Sequence, residues 1–124
     1  MVEEDEFLKE LEREFYGESE STLQFLEENF LSFETTGDVN TIDEVNKALH
    51  SMKGSAQAVD LEMLGSFLHK FETYVQENYS GDRKIFVSDC LSYTDRLKEY
   101  IQHLSDGQEV SEDEAKLSRV KLAA

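Results

Sequence analysis

The groups in this chain that could do chemistry are three histidines, one cysteine and 28 acids among 124 residues. The informative stretch is Leu49-His50-Ser51-Met52-Lys53-Gly54-Ser55-Ala56. A neutral imidazole has one N–H nitrogen and one lone-pair nitrogen. A carboxylate that accepts from the N–H fixes the tautomer and leaves the other nitrogen free and more basic, which makes an exposed, oriented histidine a nucleophile. A lysine one turn along supplies positive charge for an anionic group arriving there. Glycine inside a helix costs about 1 kcal/mol relative to alanine, so Gly54 needs a reason. Beside His50, it removes a side chain that would crowd the incoming group. These parts suit the acceptance of a phosphoryl group on histidine.

Such a site needs helices to hold it. The chain lacks proline and is rich in Glu, Leu and Lys, which favours an all-α fold. Ile42, Val45, Leu49, Met52, Ala56 and Val59 recur at alternating steps of three and four, a bundle seam. Leu61, Leu64, Leu68, Phe71 and Val75 repeat that seam 19 residues later. His50 lies off the first seam, on a face shared with Asn46, Lys53 and Gln57. If the two helices form an antiparallel hairpin turning near Asp60–Leu61, residue 50 is level with residue 72. The predicted neighbour of His50 is therefore Glu72, with His69 and Gly65 one turn away to either side.

Around this hairpin the pattern predicts a long acidic helix over 4–34, with Leu8, Leu11, Phe15, Leu23, Leu26, Phe30 and Phe33 inward, and it allows a bend or frayed turn near Gly17 to Ser21. A connector over 35–40 precedes a capping box, Thr41-x-x-Glu44, and Asp60 reads as the N-cap of the third helix. A fourth helix spans roughly 84–105, with Val87, Cys90, Leu97, Ile101 and Leu104 inward and His103 favoured near its end by the helix dipole. Ser111-x-x-Glu114 could cap a weak fifth helix through about Val120. The expectation is an antiparallel four-helix bundle over 1–106 and a tail over 107–124, whose final Lys-Leu-Ala-Ala reads as a vector-derived scar.

Composition removes several function classes. The net charge of −16 repels nucleic acid phosphates and anionic lipid. No apolar run approaches the ~20 residues of a membrane span, and the acidic start lacks a signal peptide's basic region. A lone cysteine, Cys90, excludes a disulfide framework, so the expected compartment is the reducing cytosol, with the thiol a small core residue. A metal site from His50, His69 and Glu72 is disfavoured by Lys53 and by the absence of an i, i+4 histidine pair. A helical interaction domain without covalent chemistry is the other competing reading.

The run His50-Ser-Met-Lys53-Gly54-Ser-Ala resembles the H-x-x-K-G-S/G-A signature of histidine phosphotransfer domains, most of all the N-terminal phosphotransfer domain of CheA-type chemotaxis histidine kinases. The resemblance covers about residues 5 to 106. It implies that His50 is the phosphoacceptor, that Lys53 contacts the phosphoryl group, that Glu72 bonds the other imidazole nitrogen, that His69 sits in the polar network and that Gly54 keeps the surface open. The family usually has glycine at the positions of Gln57 and Asp60. Asp60 is expected to be tolerated as a helix cap, whereas Gln57, on the site's rim, narrows the His50 face and bears on partner preference. The resemblance further implies a cytoplasmic, monomeric relay without kinase activity of its own. ATP and magnesium would be supplied by a histidine kinase catalytic domain, and the phosphate would leave for the receiver domain of a response regulator. In a phosphorelay, the donor would instead be a receiver's phospho-aspartate. The long first helix and the scar favour a kinase fragment over a free-standing relay protein.

Overall fold

The computed structural model describes residues 2–119, with side chains from residue 6 onward. Five helices follow in order: α1 Val2–Thr36, α2 Val39–Ala58, α3 Glu62–Asn78, α4 Arg83–Ser105 and α5 Ser111–Ser118. Short turns make successive bundle helices antiparallel. α1 packs on both α2 and α4, α2 packs on α3, and α5 lies mainly on α4. Among the described residues, no helix is long and apolar enough to cross a membrane.

The bundle forms because each helix buries one stripe. Every residue of the predicted α2 seam is buried, and Leu64, Leu68, Phe71 and Val75 of α3 meet them. Large aromatic rings fill the centre. Phe30 of α1 stacks on Phe71 at 6.0 Å, and Phe86 of α4 meets Phe30 and Phe33 edge-on. Burying one such side chain is worth about 1.5–3 kcal/mol, so these rings are a main determinant of how the helices sit.

Several local expectations are corrected. α1 runs through Gly17 to Ser21 without a frayed turn, and buried Ser19 returns its hydroxyl to the Phe15 carbonyl at 2.7 Å. Asp38, not Thr41, caps α2: its carboxylate accepts from the Asn40 N–H at 2.9 Å, and the Thr41 hydroxyl donates to the Asp38 carbonyl. Asp60 does not cap α3. It adopts a left-handed φ of 61°, and the Asp60 and Leu61 N–H groups donate back to Gln57 and Ala56, closing α2 with a Schellman turn. Ser111 is the first residue of α5 and not its cap, and its N–H donates to Glu109. The terminal Lys121 to Ala124 lie outside the described residues.

His103 does more than favour a helix end. Its Nδ1 pairs with Asp113 of α5 at 2.7 Å, and that bond raises the imidazole pKa above its ordinary value. Tyr100 also donates to Glu114 at 3.0 Å, and Leu117 is buried, so α5 is fastened to the bundle by polar and apolar contacts together. Cys90 is fully buried on α4, and burial pushes its thiol pKa up, which makes it an inert core residue.

Candidate functional site

Alternating steps of three and four turn Leu49 and Met52 into the core and bring His50 and Lys53 round towards α3. On α3, Leu68, Phe71 and Val75 are buried in the core, and Glu72 faces α2. The predicted register is the observed one. His50 Nδ1 lies 3.1 Å from Glu72 Oε2. Lys53 Nζ donates to Glu72 Oε1, also at 3.1 Å.

Exposure divides the labour among these three. The side chains of Lys53 and Glu72 are only 15% and 12% exposed, whereas that of His50 is 71% exposed. An ionised carboxylate can only accept, so the shared proton sits on Nδ1 and the Nε2 lone pair points away from the clamp. The pairing of Lys53 with the same carboxylate is not apparent from spacing alone. The ammonium thus takes one carboxylate oxygen and the imidazole the other. An imidazole that donates through Nδ1 and carries no second proton keeps a lone pair on Nε2.

The other predicted residues fall into place unevenly. Gly54 is exposed, and a Cβ built there would meet nothing within 4 Å. Among the described residues, no neighbour requires a glycine there. Gln57 is exposed two turns beyond His50, with its stem across Gly65 of α3, where an added Cβ would come within 3.2 Å of Gln57 Cγ. His69 is exposed one turn before Glu72, and among the described residues its ring makes no hydrogen bond, so no bonded network joins it to His50. Asn46, one turn before His50, holds a buried Oδ1 without a partner. The alternative metal grouping of His50, His69 and Glu72 is not formed. Among the described residues, the grouping with ligand-like spacing is Glu99, His103 and Asp113, at the α4–α5 seam.

Residues 10–107 match the Hpt domain family. The chain is 33% identical over 98 residues to the chemotaxis protein CheA of Borreliella burgdorferi, covering 76% of this chain and 11% of that protein. It is 28% identical over 110 residues to CheA of Treponema pallidum, covering 85% of this chain and 13% of the relative. To CheA of Rhizobium meliloti it is 32% identical over 109 residues, covering 85% of this chain and 14% of the relative. It thus spans about an eighth of the length of these relatives. No solved structure gives a significant match. The five-helix fold and the match over residues 10–107 lead to one conclusion: the chain belongs to the Hpt family of phosphotransfer domains and is related to CheA.

Proposed function

We propose that His50 accepts a phosphoryl group on Nε2 from an ATP-bound histidine kinase catalytic domain and passes it to an aspartate of a response-regulator receiver domain. The observation that carries this reading is the single carboxylate, Glu72, that binds His50 Nδ1 on one oxygen and Lys53 Nζ on the other. In the first step the Nε2 lone pair attacks the γ-phosphorus of ATP, the N–P bond forms, the P–O bond to ADP breaks, and the Nδ1 proton stays on its bond to Glu72. In the second step an aspartate oxygen attacks the same phosphorus, the N–P bond breaks, and the imidazole recovers its lone pair. Lys53 is placed to turn from Glu72 towards the phosphoryl oxygens and balance their charge. Gly54 leaves room for the incoming domain.

ATP and magnesium enter with the partners. The relationship to CheA supports a chemotaxis setting, a cytoplasmic location and a place within a larger kinase, with a free-standing relay protein as the alternative. The test incubates the protein with its cognate catalytic domain and γ-labelled ATP. The reading requires label that is stable in base, lost in acid and absent from His50→Gln. Acid-stable label, or label retained by His50→Gln, overturns it.

A further inference from the structure

We propose that Gln57, seated over Gly65, is a specificity-determining residue that selects which aspartate-bearing domain docks on His50. This rests on the phosphotransfer reading above. Gln57 follows His50 by seven residues on one face of α2, a rise of about 10.5 Å. A transient interface at the small end of the range buries roughly 600 Å² per partner, a patch of about 14 Å radius, so a domain centred on His50 covers Gln57.

The position is built to present a side chain. Gly65 is buried in the first turns of α3, where a helix former would ordinarily serve. Its nearest neighbours, were it to carry a Cβ, are Gln57 Cγ at 3.2 Å and Gln57 Nε2 at 3.9 Å. No backbone atom of α2 comes as near. The glycine of α3 therefore makes space for the stem of Gln57, not for closer approach of the two helices. Laid across the hairpin in this way, the stem is partly ordered before any partner arrives, which reduces the entropy lost on docking.

The amide at its end carries both a donor and an acceptor. Glycine at this position would leave a flat surface with neither. A partner that offers a matching polar pair satisfies the amide, whereas one that covers it with an apolar side chain buries it unpaired. Discrimination of that kind acts against the wrong partner as much as for the right one.

The experiment loads His50 with phosphoramidate, a donor too small to need a docking surface: its P–N bond breaks, Nε2–P forms and ammonia leaves. The loaded protein is mixed with a panel of purified response-regulator receiver domains from the same genome, and kcat and KM for transfer are measured for each. Gln57→Gly should lower the kcat/KM ratio between the best and second-best receivers about tenfold, mostly through KM. Gln57→Ala should do the same while keeping better helix propensity. Gly65→Ala, which crowds the stem, should shift the ratio in the native background and leave it alone in Gln57→Gly. A ratio within twofold of native in both Gln57 variants overturns the proposal. So does a Gly65→Ala effect that persists without Gln57, which assigns selectivity to the α3 backbone. Failure of His50 to load at all, or loading that survives His50→Gln, strikes instead at the phosphotransfer reading.

Discussion

Glu72→Gln is the most discriminating single change in the site, because it keeps the shape and reverses one hydrogen bond. The amide oxygen can still accept from Lys53, but the other end becomes an NH₂ that only donates. Facing Nδ1, it must meet a lone pair, so it selects the tautomer with hydrogen on Nε2. The outward nitrogen then has no lone pair to attack with. A hydrogen bond to an ionised acceptor contributes about 1.5–3 kcal/mol, and each 1.36 kcal/mol is tenfold in rate, so the slowing is roughly 10- to 150-fold. The His50 side chain is 71% exposed and can swing into water to exchange tautomers, which places the expected value near the lower end. Glu72→Ala removes the constraint without imposing the wrong one. It should therefore slow labelling less than Glu72→Gln, while leaving the largely buried Lys53 ammonium without its carboxylate at a stability cost of about 1–3 kcal/mol. The assay is pseudo-first-order labelling by phosphoramidate, followed through the phosphohistidine ³¹P signal, with thermal melts of each variant. A folded Glu72→Gln that labels within twofold of the native rate, or an alanine variant slower than the glutamine one, would refute the tautomer reasoning.

Two further outcomes follow from the turn and from the α4–α5 seam. Asp60→Gly should stabilise the bundle by about 0.5–1 kcal/mol, since the left-handed φ of 61° strains any residue with a Cβ; a chemical denaturation midpoint that does not rise would count against it. The raised pKa of His103 comes first from its bond to Asp113, so its contribution to stability is complete below the ordinary imidazole pKa and is lost as pH rises through the folded value. The difference in Tm between native protein and His103→Gln should accordingly be largest near about pH 6 and shrink towards about pH 9, and a pH-independent difference would remove the charge from the account.

The register of the α2–α3 hairpin was legible because two apolar seams repeat with a fixed offset, and register alone puts residue 50 beside residue 72. The all-α bundle and its inward residues were legible for the same reason: Ile42 to Val59 and Leu64 to Val75 alternate cleanly. Three kinds of feature were not. Helix ends were misread at Thr41, Asp60 and Ser111, because a short polar residue that suits an N-cap also suits a left-handed turn or a position in the first helical turn. The frayed turn in α1 was misread because a hydropathy pattern with a gap at Gly17 to Ser21 does not show that the backbone stays helical through it. Within the site, spacing placed Lys53 near the phosphoryl position but could not show that Glu72 holds it in the resting protein, since that depends on rotamers. His69 illustrates the reverse, a residue on the right face whose ring forms no bond to the others.

The His50 imidazole stands in the open, its side chain 71% exposed. An imidazole so open to water does not by itself bury the groups that meet it. In the proposed relay, that work falls to the hollow of whichever protein closes over it. The same bare imidazole can then be offered first to a donor and next to an acceptor, and the direction of traffic is set by who arrives.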